Sequence, residues 1–225
     1  MKYLPQILIT LLLAHTASAT DSSIIKSPAY KECIGLASSN PGQALTKADS
    51  WLAVDRSISA HHCRAMALYG LKRYPEAGES LDAVRNLINK EDVELRSFVT
   101  KQSVTAWTNA GRMDAALGVL DAQLAEMHQS FGNNAAVAKQ TSGLLLERAR
   151  INLTYGKAKL ATQDLDHAIS LTPTNADLLI ERARAFEMLG DVPLMRADIE
   201  SALTLSPGNA KARAMLAKID SKGVN

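Results

Sequence analysis

The sequence predicts an all-α fold built as a solenoid of antiparallel helix pairs, and three observations carry that reading. Among 225 residues, 47% are hydrophobic but only 4% aromatic, with 12 Gly and 7 Pro. That is a poor supply for the strands and tight turns of a β-sandwich or barrel. Residues 142–175 laid without a gap over 176–209 give 13 identities in 34 positions, among them Glu147-Arg148-Ala149-Arg150 on Glu181-Arg182-Ala183-Arg184. A fixed period of this length marks stacked copies of one supersecondary unit. Each copy also holds two helical patterns, separated by Gly156 or Gly190 and closed by Pro173-x-Asn175 or Pro207-x-Asn209. Glycine accepts the left-handed conformation that ends a helix, and proline cannot continue one. A net charge of +2, from 25 basic and 23 acidic residues, provides no uniform field for a nucleic acid or an acidic lipid surface.

The elements follow in order. Residues 1–19 are expected to be a signal peptide: Lys2 is followed by an apolar run from Ile7 to Ala14 broken only by Thr10, and Ala17-Ser18-Ala19 offers small residues for cleavage. Thr20, not Cys, follows that cut, so a lipid anchor is not expected. The apolar run is too short to span a bilayer, and no membrane insertion of the mature form is expected. Residues 20–27 read as a flexible leader. Export to an oxidising compartment makes the only two cysteines, Cys33 and Cys63, a predicted disulfide. Closing a loop of about 30 residues stabilises a fold by about 3–4 kcal/mol in the chain-entropy treatment. Two buried free thiols are the alternative.

Residues 28–57 suggest a degenerate helical pair, split at Asn40-Pro41-Gly42, with Trp51 its largest apolar residue. Repeats are expected at about 58–90, 97–129, 142–175 and 176–209, with turns at 72, 111, 156 and 190. Lys72 stands where the other turns have glycine. The intervals are therefore 39, 45 and 34 residues, and the longest contains Ser130-Phe131-Gly132-Asn133-Asn134, a connection and hinge candidate. Residues 210–225 read as a C-terminal capping helix that solvates the open end with Lys211, Arg213, Lys218 and Asp220.

The 34-residue period, the small residue at the helix crossing (Ala149, Ala183), the turn glycines and the closing prolines resemble the tetratricopeptide repeat family. Ala161, Leu165 and Ala168, and then Met195, Ile199 and Ala202, match its second helix, Met195 departing from the small-residue preference. The resemblance implies a right-handed superhelical solenoid of about four repeats plus caps, with a concave groove lined by the first helix of each pair. It places Arg150, Arg184, Lys101, Tyr69, His62 and Glu187 in that groove, with Met66, Thr105, Asn109, Leu146, Leu153 and Ile180 on the same face. The Lys and Asn set that clamps a C-terminal carboxylate in chaperone-associated members is not reproduced by Lys101 and Asn109 alone.

Chemistry is sparse. His61-His62-Cys63 combines ligand and nucleophile types, but successive helical residues project about 100° apart and no Asp or Glu lies three or four positions away. Surface or interhelix histidines beside a bridged cysteine are the expected reading, and no metal site is assigned. Arg148 with Asp164, and Arg182 with Asp198, are expected to form structural ion pairs within their repeats. No phosphate loop, nucleophile elbow or zinc motif appears, so no catalytic residue and no cofactor is expected.

The expectation is a non-enzymatic exported scaffold, in a bacterial periplasm or secreted, whose groove binds another protein or peptide and which serves as an envelope assembly factor. Arg150 and Arg184, at one register, would engage two carboxylates or a chain terminus of that partner, or else are solvated charges on a helix face. The alternatives are a small-ligand protein or thiol enzyme using His61–Cys63, and self-assembly, including homodimers through the ends of the stack.

Overall fold

The computed structural model describes residues 27–132 and 134–221. The expected signal peptide and nearly all of the leader lie outside the described residues. Among the described residues eleven α-helices follow one another: α1 (Pro28–Ser39), α2 (Pro41–Leu52), α3 (Ile58–Gly70), α4 (Tyr74–Leu87), α5 (Val93–Asn109), α6 (Met113–Phe131), α7 (Ala138–Thr154), α8 (Ala158–Leu171), α9 (Ala176–Leu189), α10 (Val192–Leu205) and α11 (Ala210–Ser221). No strand occurs among the described residues.

Local chemistry sets most of these boundaries. Ser27, Asn40, Ser57, Asp92, Asn175 and Asp191 precede helices, and each side chain accepts a hydrogen bond from a backbone N–H of the first turn, satisfying a donor the helix itself cannot. Pro28, Pro41 and Pro193 sit in first turns, where a missing N–H costs nothing. Asn40 serves twice: its backbone N–H ends α1 on the Leu36 carbonyl at 2.7 Å, while its side chain caps α2.

Within the repeats, the turn between paired helices closes by one device. The backbone N–H after the turn residue donates to the carbonyl five residues back: Arg73 to Leu68, Arg112 to Trp107, Lys157 to Asn152 and Asp191 to Phe186, at 2.8–3.0 Å. This bond needs a left-handed turn residue. Gly111, Gly156 and Gly190 supply it with φ of 72°, 71° and 75°, and Lys72 is forced to φ 59°.

Each pair buries its core against the next. Ala65, Leu68, Ala77, Leu81 and Val84 form one cluster, continued by Leu95 and Val99. Trp107, Ala116, Leu120 and Leu144 form the next. Leu145, Ala149, Ala161, Leu165 and Leu178 then lead to Ile180, Ala183, Ile199, Ala212 and Ile219 under α11. Trp107 lies flat on Gly78, where an added Cβ would stand 2.6 Å from its ring, and its indole N–H donates to Asp82 at 3.0 Å.

Cys33 of α1 and Cys63 of α3 form the disulfide, with Cα atoms 6.0 Å apart and both residues fully buried. It ties the degenerate first pair to the repeats. In the connection after α6, which runs to Phe131, Asn134 caps a 3₁₀ turn, Ala135–Val137, that leads into α7. The helices of these two middle repeats extend beyond the expected spans, α5 starting four residues before 97 and α7 four before 142.

Candidate functional site: the concave groove

Successive first helices touch directly, α1 with α3, α5 with α7 and α7 with α9, while the second helices stay further apart. The stack therefore curves with its first helices inside. Side chains bridge them step by step. Tyr69 of α3 accepts from Asn109 of α5 at 2.7 Å, and Gln102 of α5 donates to the Met66 sulfur at 3.5 Å. Lys101 of α5 reaches Gly143 of α7, where a Cβ would meet its Nζ at 2.7 Å. Arg150 of α7 lies 3.5 Å from Glu181 of α9, Lys211 of α11 lies 2.9 Å from the same carboxylate, and Lys218 of α11 pairs with Glu187 of α9 at 2.6 Å.

Glu181 is the centre of the charged half. Its side chain is 5% exposed, and besides Arg150 and Lys211 it takes a contact from Arg184 at 2.5 Å. Burial pushes its carboxyl up, but Lys211 and Arg184 outweigh that and hold it below the usual carboxylate range. Arg150 also contacts Glu147 at 3.2 Å. The two arginines expected to form a free matched pair are thus both anchored on acidic neighbours, Glu181 shared between them. Helix α11, expected to serve as a solvating cap, contributes two of the groove's cations.

Four residues expected in the groove are not available to a partner. His62 is 5% exposed, packed between α1 and α5: its Nδ1 lies 2.8 Å from the Tyr30 hydroxyl and its Nε2 2.7 Å from Gln102 Oε1. Burial lowers the His62 pKa, partly offset by the Gln102 hydrogen bond. The same burial raises that of Tyr30 to about 12. Leu146, Leu153 and Ile180 lie in the core clusters, because their positions face the neighbouring helix rather than the inner surface. Phe98, half exposed on the groove face of α5, was not among the expected residues. Its four-residue spacing from Gln102 and eleven-residue spacing from Asn109 are the signal that places it on that face.

On the outer side, the arginines next to the crossing alanines make two contacts each. Arg148 binds Asp164 of its own pair through two nitrogens, at 2.5 and 3.0 Å, and Asp121 of the preceding pair at 2.7 Å. Arg182 repeats this with Asp198, at 2.7 and 2.8 Å, and Asp166 at 2.6 Å. Hydrogen bonds to Asp164 and to Asp198 raise the two guanidinium pKa values. Arg64 takes the same place in α3, bound to Asp49 at 2.9 Å. These arginines join neighbouring pairs as well as the two helices within one pair. The sequence does signal the second partner: Asp121 and Asp166 each stand ten residues after a turn, whereas Asp82, at the same register, accepts from Ser103 and Trp107 instead.

Among the described residues no three His, Cys, Asp or Glu side chains converge as a metal site, and no helix is long and apolar enough to cross a membrane.

No protein-family model matches the sequence, and no curated protein matches it. Solved structures do. YrrB, a tetratricopeptide-repeat protein with an unusual peptide-binding site, is 15% identical over 88% of this chain and 97% of that chain, with a TM-score of 0.57. MamA from Desulfovibrio magneticus RS-1 is 14% identical over 82% of this chain and 98% of its own, also with a TM-score of 0.57. These likenesses establish the fold, and the chain has the tetratricopeptide-repeat architecture.

Proposed function

We propose that this tetratricopeptide-repeat chain is a non-enzymatic scaffold, exported to an oxidising compartment such as a bacterial periplasm, that holds a partner protein in its concave groove and acts in envelope assembly. The observation that carries the reading is the groove itself. The first helices of the pairs and the capping helix α11 line it, and Arg184 of α9 with Lys211 and Lys218 of α11 are held by carboxylates yet remain about half exposed. Such a surface suits an extended peptide or a partner helix. YrrB, on the same fold, has a peptide-binding site, which supports the same use here. The buried Cys33–Cys63 bond supports the oxidising compartment. It also occupies the only two thiols, and no observation favours a thiol enzyme over a scaffold.

The test is affinity capture from periplasmic extract with wild type and an Arg150→Gln/Arg184→Gln variant, folding checked by circular dichroism. Glutamine is used because a glutamate at either position would face Glu181. A protein retained by wild type and lost by the folded variant is the expected result. Identical retention by both would overturn the assignment of these arginines to the partner site, and cell fractionation tests the compartment.

A further inference from the structure

The groove changes character along its length. At the α3–α5 end its side chains are aromatic or uncharged: Tyr69, Gln102 and Asn109 are joined across the two helices, and Phe98 rims a small apolar recess with Ile58 and Leu95. At the α7–α11 end the surface is positive. Arg150, Arg184 and Lys211 face two carboxylates, Glu147 and Glu181. The Glu181 side chain is 5% exposed, whereas those of Arg184 and Lys211 are 44% and 51% exposed. The balancing carboxylate therefore lies underneath, and one positive charge in excess is turned toward the groove.

We propose that the groove binds an extended segment of a partner protein carrying an apolar anchor beside Phe98 and, about six residues away, an acidic residue between Arg184 and Lys211. The proposal rests on the reading of the groove as a partner surface and adds the partner's chemistry. Charge complementarity selects the occupant. An incoming carboxylate accepts hydrogen bonds from the guanidinium and ammonium N–H groups that Glu181 leaves free, and a basic residue there would face two cations. Glu181 already holds both long side chains in place, so ordering them on binding costs little. One excess charge is too few for a nucleic-acid backbone, which needs many phosphate contacts. The spacing follows from geometry: α5 and α9 are two helix steps apart at ~8–10 Å each, and an extended chain advances ~3.3 Å per residue.

The test uses three pools of twelve-residue peptides with blocked termini. Each pool fixes Phe and, six positions on, Glu, Gln or Lys, all other positions randomised. Binding is read by fluorescence anisotropy in low and physiological salt. The Glu pool is expected to bind at least tenfold tighter than the Gln pool, and the Lys pool weakest. The Glu-over-Gln preference is expected to fall to about twofold or less in Arg184→Gln and Lys211→Gln, while Phe98→Ser weakens all pools alike. Equal binding of the three pools, still weakened by Phe98→Ser, would overturn the acidic subsite and leave the groove standing as a partner surface. Binding indifferent to all three substitutions, or no binding at all, would overturn both. Thermal melts of each variant confirm that it folds, and the blocked termini exclude recognition of a chain-end carboxylate.

Discussion

The turn at Lys72 offers the sharpest test of how the sequence is fitted to this fold. Three of the four turn positions are glycines with φ of 71–75°, and the fourth is a lysine at φ 59°. A residue with a Cβ in the left-handed region costs roughly 1–2 kcal/mol, whereas glycine adds about 0.4–1 kcal/mol of unfolded-chain entropy that folding must overcome. Lys72→Gly should therefore stabilise the protein by about 0.5–1 kcal/mol. Lys72 is exposed and takes part in none of the ion pairs found among the described residues, so the substitution removes strain without removing a charge contact. The reverse substitution carries the opposite sign. A Cβ at Gly156 would meet no atom within 4 Å, so Gly156→Lys carries the same two opposed terms with no clash added and should lose about 0.5–1 kcal/mol. Urea unfolding followed by circular dichroism at fixed pH reads both shifts. For a chain of this size, thermal midpoints should move by about 2–4 °C per kcal/mol. If Lys72→Gly is neutral or destabilising, or if Gly156→Lys is tolerated without loss, the left-handed turn conformation does not constrain the stability of the fold.

Three further outcomes are expected. Reducing the Cys33–Cys63 bond should lower stability by about 3–4 kcal/mol, with the loss centred on α1 and α2; a reductant series monitored by urea unfolding reads it, and a shift below about 1 kcal/mol would show that packing alone secures the first pair. His62 is held neutral by burial, with a folded pKa below its ordinary 6.5. The unfolded chain then binds more protons just below pH 6.5, so stability is full above that pH and falls as the pH drops beneath it. A pH series of unfolding midpoints should show a shallower slope in His62→Gln than in wild type, the remainder coming from His61, whose pKa is also lowered by burial and by Arg56 and Arg64. Finally, Arg182→Ala would strand the Asp198 side chain, which is 7% exposed, and should cost about 1–3 kcal/mol. Arg196→Ala, which frees an Asp220 side chain that is 57% exposed, should cost no more than about 1 kcal/mol. Equal losses in the two variants would show that burial of the aspartate does not set the cost.

Much of the fold was legible along the chain because its determinants are local. The split at Asn40-Pro41-Gly42 and the turn glycines act within a few residues, and the 34-residue register repeats them along the chain. The arginine–aspartate pairs within repeats follow from the same register, since Arg148 and Asp164, like Arg182 and Asp198, are sixteen residues apart on facing helices of one hairpin. The unequal intervals located the long connection that α6 and the 3₁₀ turn occupy.

The site was less legible, because it is made between repeats. Helical periodicity names a face of each helix but not which part of that face a neighbour covers. That depends on the angle and offset at which successive pairs stack, which sums many weak side-chain contacts over the whole assembly. His62 shares a helix face with Met66 and Tyr69, yet it alone is sealed between Tyr30 and Gln102. Glu181 is marked in the sequence only as a member of the repeated Glu-Arg-Ala-Arg stretch, and becomes the anchor of Arg150, Arg184 and Lys211 only where three helices lie side by side. The sequence by itself determined the helices, their pairing and the period of the stack, through interactions of short reach. Only the tertiary structure decided which of the repeated charges are buried, which are shared, and which are left facing the groove, because those outcomes depend on contacts between residues about thirty positions apart.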